Sequence, residues 1–452
     1  MTFDAAVAGL LACPSCGTRL TGDSCLPCRL DFPSIAGIPW LMPEPRLALT
    51  EWRGRLHHLL SHYAAEAARQ RAALEGPVSA LARSRIERVA AALDDQSARV
   101  RELLQPLGVS GRQEAPAVHA ALGTELPVSQ GLTTYYPNLH RDWCWGDEEN
   151  RASLEAVAGV LPGAVSAARV LVLGAGACRL AYDLHQRLRP ELTVALDFNP
   201  FFLLATRRIL GGEALGLYEF PIAPRTAKDH AMLRTHRVPE PPASGFALVL
   251  ADATAPPFRP GMFDLVLTPW FIDVAGEPVA RVARRINALL ATGGTWVNHG
   301  SLAFADADPA DAWSVEELLD ALPAAGFSRA EARESRQPYL ASPASRHARL
   351  ESVITFAARK ERDLPAPPAG RELPPWIERA DLPVPSLPQF RAQSLSTRVY
   401  AFLLAMIDGE RSIRDMARLM EQQKLMPADD AVPAIRGFLA RAYRDAGRRP
   451  QF

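Results

Sequence analysis

The sequence predicts an α/β fold, and two observations carry that prediction. Between Arg169 and about Lys360, short β-branched runs alternate with helical segments, the pattern of a largely parallel sheet with helices on both faces. RVLVLG, LTVALD, FALVLAD, FDLVLTPW, TWVNHG and SVITFAARK read as its strands. The first strand also runs straight into Gly174-Ala175-Gly176. Glycines there let the backbone approach a ligand closely at the sheet's carboxyl edge.

Composition sets the bounds. The 452 residues are 48% apolar and 22% charged, enough for a sizeable core and more than one domain. Lys plus Arg and Asp plus Glu each number 50, so there is no global pull toward nucleic acid or an anionic membrane. No run of 18 apolar residues is present, and Met1 to Leu11 lacks a basic stretch and carries Asp4. A spanning helix and a secretory signal are therefore not expected, and the expected location is cytoplasmic. Six cysteines are too few for a disulfide scaffold in so long a chain.

Five regions follow along the chain: residues 1–45, 46–150, 151–362, 363–390 and 391–452. The first holds Cys13, Cys16, Cys25 and Cys28 as C-x2-C-x8-C-x2-C. Two short knuckles of soft thiolates suit a tetrahedral, structural zinc ion in a unit too small to bury a core. In the second, Ile86, Val89, Ala90 and Leu93 recur at helical spacing. The fourth is a linker with eight prolines between Pro365 and Pro388, against an average of about 5% in proteins. In the fifth, Val399, Phe402, Leu403 and Met406 share one helical face. Ile413, Met416, Ala417 and Met420 share another, and Ser412 with Asp415 forms a capping box. Residues 391–452 carry 11 basic and 7 acidic side chains.

The candidate ligand site lies in the third region. The turn continues to Arg179 where a dinucleotide fingerprint has Gly or Ala, which counts against a pyrophosphate ligand. The next strand ends in Asp197, suited to both hydroxyls of a ribose. FALVLAD ends in Asp252, suited to an adenine amine, with the Ala253 N–H available to a ring nitrogen. A Gly-rich turn followed by two strand-end acids suits S-adenosylmethionine, which has no phosphates. Each acid alone could be an ordinary helix cap; in series they point to the cofactor. Thr268 on the following strand is a further cofactor-side candidate.

GAGACRLAYDL, the segment from DLVLTPWFID through GGTWVNHGSL, SVEELLDALPAAGFSRAEARES, LESVITFAARK and LHRDWCWGDEENRASL together resemble the carnosine N-methyltransferase family over roughly residues 80 to 360. The resemblance implies a Rossmann-like class I methyltransferase sheet. It implies that Arg141, with Asn138, reaches the cofactor alongside Gly174, Gly176, Asp197 and Asp252; Ala175 and Arg179 of the same turn are further cofactor-side candidates. It also implies that Asp273 contacts the acceptor. The DFPSIAGIPWLMPEP segment resembles the zinc ribbons found beside methyltransferases. Cys178 stands where the family has Gly. The family's substrate His falls at Ala305, and its two tyrosines fall at Ala348 and Leu350. The contacts to carnosine itself are therefore mostly missing.

Methyl transfer to a neutral imidazole needs alignment and a carboxylate that fixes the tautomer and stabilises the imidazolium. Asp273 is assigned that role. His299, at the end of TWVNHG, is the second catalytic candidate, and Tyr339 and His347 are candidates to replace the missing aromatics. The acceptor expected is a histidine-containing small molecule or peptide. Short helices around Asp408 to Ser412 resemble the peptide-binding or winged-helix-like modules of peptide-modifying enzymes. The alternatives are an RNA or translation-factor methyltransferase, disfavoured by the neutral charge, and a silent cofactor-binding scaffold, disfavoured by the three intact acids.

Overall fold

The structure, a computed structural model, describes residues 5–108, 135–162, 168–304, 309–369, 375–378 and 381–447. The chain divides into two compact units, Met1–Arg371 and Glu372–Gln451.

The first unit begins with α1 (Ala5–Ala8) and four short strands, β1 (Ser24–Cys25), β2 (Leu30–Asp31), β3 (Ser34–Ile35) and β4 (Ile38–Leu41). Two long helices follow, α2 (Pro45–Ala72) and α3 (Ala80–Leu103). Ile86, Val89, Ala90 and Leu93 all face inward on α3, as their spacing predicts. Burial of Ile86, Val89 and Leu93 is worth about 1.5–3 kcal/mol each at most, and the Ala90 methyl about 0.8. Next come α4 (Tyr136–His140), which continues as a π-turn over Arg141–Trp145, and α5 (Asp147–Val160).

The remaining elements are β5 (Arg169–Leu173), α6 (Arg179–Leu188), β6 (Leu192–Asp197), α7 (Pro200–Leu210), β7 (Leu215–Glu219), β8 (Met232–His236), β9 (Phe246–Ala251), β10 (Phe263–Pro269), α8 (Val279–Leu289), β11 (Leu290–Gly300), α9 (Val315–Ala321), β12 (Ala332–Tyr339) and β13 (Arg349–Arg359). Among the described residues the main sheet has nine strands in the order β12-β13-β11-β10-β5-β6-β9-β4-β3. From β11 through β4 the neighbours are parallel, while β13 runs antiparallel to β11. The order reverses beside β5, with β6 on one side and β10 on the other. Such a switch point opens a crevice at the strands' carboxyl ends.

The apolar strand runs are buried on both faces. Val170 and Val172 join the cluster with α2, α3, α6 and α7, while Leu171 and Leu173 join the cluster with α8 and α9. That two-residue alternation makes the sheet the middle layer of a helix–sheet–helix sandwich. All six strands expected from the sequence form. The β7–β8 hairpin, β12 and the N-terminal strands were not anticipated. β12 is largely polar and partly exposed, and β4 carries Pro39, which argues against a strand interior.

The second unit contains α10 (Pro375–Glu378), α11 (Pro388–Ala405), α12 (Ile413–Gln422) and α13 (Ala428–Gly447). Its core is Leu403, Met406, Met416, Ala417, Met420, Ala431 and Ile435. Ser412 and Asp415 form the expected capping box at the start of α12. No helix among the described residues is long and apolar enough to cross a membrane.

Candidate active site

The turn after β5 places Gly174 (φ +69°) and Gly176 (φ +56°) in the left-handed region. A Cβ on Gly174 would meet the Phe271 ring at 2.8 Å, so both conformation and space require glycine. The Ala175 N–H donates to the Leu196 carbonyl at 2.9 Å, tying the turn to β6. Cys178 also sits at φ +66°, fully buried. A left-handed non-glycine residue costs roughly 1–2 kcal/mol. Burial holds its thiol well above the usual range, so it is no nucleophile at neutral pH.

Asp197 closes β6 beneath this turn. Its carboxylate accepts the Gly176 N–H and the Asn199 N–H, each at 2.8 Å. A carboxylate has about four acceptor sites, so room remains for ribose hydroxyls. Burial pushes it up to about 6. Asp252 closes β9, with one oxygen accepting both the N–H and hydroxyl of Thr254 at 2.8 Å and the other oxygen available. It caps a turn here and starts no helix. The backbone of Ala253 follows, largely buried. Gly174, Ala175, Gly176, Asp197, Asp252 and Ala253 thus all lie at or just after the carboxyl ends of the neighbouring strands β5, β6 and β9. That donor set fits a phosphate-free nucleoside.

Two cofactor-side candidates are placed differently from the rest. The Thr268 hydroxyl is spent inside the sheet, accepting from the Trp296 indole at 2.9 Å and donating to Asn298 Oδ1 at 3.0 Å. The Arg179 guanidinium is committed to Asp183 at 2.9 Å and to the Asp142 carbonyl at 2.7 Å. It also lies over the Trp143 ring. Arg179 therefore fastens the π-turn to α6. The Trp143 indole adds a bond to the Ala177 carbonyl at 2.7 Å, which seats the Arg-Asp-Trp segment on the glycine turn.

The same segment presents Asn138 and Arg141. Arg141 pairs with Asp142 at 2.7 Å and lies 5.5 Å from the Tyr339 ring centre. The Tyr339 hydroxyl reaches Asn138 Oδ1 at 3.4 Å. A Cβ at Gly146 would strike the Arg141 carbonyl at 2.4 Å, so the close π-turn needs glycine there. Tyr339 also contacts Trp270 at 4.8 Å and the Arg349 guanidinium at 4.7 Å. Glu149 accepts the Leu340 and Ala341 N–H groups at 3.1 and 2.9 Å, holding the loop after β12 against α5.

Asp273 lies in the turn after β10. It accepts the Ala303 N–H at 3.0 Å and the Ser301 hydroxyl at 3.3 Å, and burial raises it above the usual carboxylate range. It does not cap α8, whose N-cap is Pro278. His299 ends β11 fully buried, its Nδ1 2.9 Å from the Thr355 hydroxyl and its Nε2 without a partner. Burial and then Arg141 hold it down to about 4, so it is neutral. The Trp270 N–H donates to the His299 carbonyl at 2.7 Å, and the two rings meet edge to face at 6.3 Å.

Sequence reasoning missed Trp270, Arg349 and Glu149. Trp270 had a local signal, an aromatic residue at the carboxyl end of a strand beside Phe-Ile-Asp. Arg349 and Glu149 had none, because only the fold brings them to Tyr339. Tyr339 is buried here, whereas His347 is exposed. Ala348 is exposed and Leu350 is 64% exposed. Ala305 lies outside the described residues.

Far from this crevice in sequence, the thiols of Cys13, Cys16, Cys25 and Cys28 lie within 4.8 Å of one another. Cys13 and Cys28 are 3.9 Å apart and Cys16 and Cys25 are 3.5 Å apart. Zinc bound to four thiolates at about 2.3 Å separates the sulfurs by about 3.8 Å in tetrahedral geometry. These separations fit zinc and exclude disulfides.

A profile of the carnosine N-methyltransferase family matches residues 130–362, half of the chain. No curated protein matches. Solved structures that are similar include an S-adenosylmethionine-dependent methyltransferase from Thermotoga maritima, at 14% identity, 50% of this chain, 93% of that chain and a TM-score of 0.30. Another is a Haemonchus contortus phosphoethanolamine N-methyltransferase, at 13% identity, 58% of this chain, 60% of that chain and 0.33. A third is an S-adenosylmethionine-dependent methyltransferase from Mesorhizobium loti, at 16% identity, 47% of this chain, 100% of that chain and 0.32.

Proposed function

The chain belongs to the carnosine N-methyltransferase family and is an S-adenosylmethionine-dependent methyltransferase, and on that premise we propose that it methylates an imidazole nitrogen of a histidine-containing small molecule or peptide. S-adenosylmethionine supplies an electrophilic methyl on a sulfonium, which the imidazole lone pair takes in line as the carbon–sulfur bond breaks and its electron pair stays on sulfur.

In this reading Asp197 binds the ribose, and Asp252 with the Ala253 N–H binds the adenine. The Gly174–Gly176 turn lets the backbone approach the cofactor, and Asn138 and Arg141 close it from α4 and the π-turn. Asp273 accepts the acceptor's other ring N–H, which aims the attacking nitrogen and stabilises the imidazolium. The proton on that second nitrogen then leaves to Asp273 or to water. Trp270 and Tyr339 wall the acceptor and exclude water. Neutral His299 offers a buried nitrogen that orients the acceptor. Zinc on the four cysteines plays a structural part, and the regional division at residues 45, 150, 362 and 390 belongs to the same proposal.

The observation that supports this reading most is Asp273. It is a largely buried carboxylate held by one backbone and one hydroxyl donor at the strands' carboxyl edge, and it caps no helix. Replacing it with Asn keeps the shape and removes the charge. Asp273→Asn is expected to abolish methyl transfer to histidine, carnosine and related dipeptides while calorimetric binding of S-adenosylhomocysteine survives. Near-normal turnover removes Asp273 from the mechanism.

A further inference from the structure

The cysteine unit is built into the sheet. Its strand β4 lies parallel to β9, with Trp40 opposite Leu250 and Leu41 opposite Ala251. Those partners immediately precede Asp252 and Ala253. On the other side of the same loop, the Ala12 N–H donates to the Pro257 carbonyl and the Arg259 N–H donates to the Leu10 carbonyl, both at 2.9 Å. The segment from Leu250 to Arg259 is therefore held at both ends by the cysteine unit.

The packing runs the same way. Cys13 and Cys25 are each 2% exposed and share one apolar cluster with Leu11, Phe32, Leu41, Ala253 and Phe258. Two zinc ligands are thus core residues of the cluster that backs the adenine-side loop. The knuckle carrying Cys13 is continuous with the Leu10–Ala12 stretch that bonds to that loop. A unit this small has little core of its own, so loss of its metal loosens those contacts.

We propose that the zinc unit is a positioning clamp for the cofactor loop, so that occupancy of the four cysteines sets the affinity of the Asp252–Ala253 loop for S-adenosylmethionine. The proposal rests on the cofactor reading above. Two sites that share a loop are coupled reciprocally: zinc tightens cofactor binding, and cofactor tightens zinc binding by the same factor.

The test uses the full chain. S-adenosylhomocysteine binding is measured by calorimetry for the zinc-loaded protein, the zinc-stripped protein and Ala12→Pro. That variant removes one clamp hydrogen bond and leaves every thiol in place. Zinc affinity is measured by equilibrium competition with a chromogenic chelator, with and without saturating S-adenosylhomocysteine. Zinc removal is expected to weaken binding about tenfold or more, and Ala12→Pro to weaken it severalfold with zinc still near one per chain. Ligand is expected to raise zinc affinity by a comparable factor. If stripping zinc unfolds the chain, Ala12→Pro and the zinc affinity decide. Equal affinities for all folded forms, or zinc affinity indifferent to ligand, overturn the clamp. Failure of the zinc-loaded wild type to bind S-adenosylhomocysteine overturns the cofactor reading, and the clamp with it.

Discussion

The two halves of the crevice are built differently. On the cofactor side, the glycine turn and the two acids sit at or directly after the carboxyl ends of the neighbouring strands β5, β6 and β9, and local bonds such as Asn199 N–H to Asp197 and Thr254 N–H to Asp252 set their geometry. On the acceptor side, Tyr339 reaches Asn138 of the cofactor-closing segment across 201 residues of sequence, and Glu149 holds Ala341 across 192. The first half inherits its shape from the sheet. The second depends on segments distant in sequence arriving together.

The largest expected break in this comparison comes from Asp273→Asn. Turnover is expected to fall by about 10² to 10⁴, the usual span for losing a positioned acid–base group, with S-adenosylhomocysteine affinity unchanged. Single-turnover kinetics and calorimetry on one preparation check both halves. Asp197→Asn is the mirror experiment. Losing a buried charged acceptor costs about 1.5–3 kcal/mol, so cofactor affinity is expected to drop about 10- to 100-fold.

Asp197 also gives the cofactor side a pH signature. Burial raises it from an unfolded value of about 3.9 to about 6. Its protonated form therefore stabilises the fold at acid pH, and about 3 kcal/mol of that is lost as pH rises from about 4 to 6. Ribose hydroxyls favour the ionised form, so S-adenosylhomocysteine affinity is expected to be level above about pH 6 and to fall below it. A calorimetric pH series checks this, and Asp197→Asn should flatten it.

The sequence carried much of the cofactor half and less of the acceptor half, for physical reasons. Buried parallel strands leave continuous apolar runs, and the turns after them need Gly174 and Gly176 and favour acids. Those features are local and readable. The β12 strand is largely polar and partly exposed, so ARESRQPY lacks an apolar pattern; Tyr339 is marked only by its place before the last strand, and its contacts with Trp270 and Arg349 come from the fold alone. Arg179 belongs to the same turn as Gly174 and Gly176, but its guanidinium joins Asp142 and Asp183, a partnership that only the fold brings about. In sequence, Trp40 and Leu41 resemble part of a ribbon only, and their pairing with β9 follows from tertiary contact alone.

Smaller effects sharpen the contrast. Trp270→Ala is expected to raise the acceptor KM about tenfold, given the packing lost against Tyr339, and to spare cofactor binding. Deleting residues 391–452 is expected to weaken a peptide acceptor severalfold while free histidine and S-adenosylhomocysteine are handled as before. Steady-state kinetics with matched free and peptide acceptors separate the two cases.

The most direct measurement transfers a ¹³C-labelled methyl from S-adenosylmethionine to a panel of histidine, carnosine, other histidine dipeptides and histidine peptides, and locates it by NMR. The account predicts label on an imidazole nitrogen, absent from the Asp273→Asn reaction. Label on an amine, a carboxylate or RNA, or an Asp273→Asn enzyme that still methylates imidazole, would contradict it.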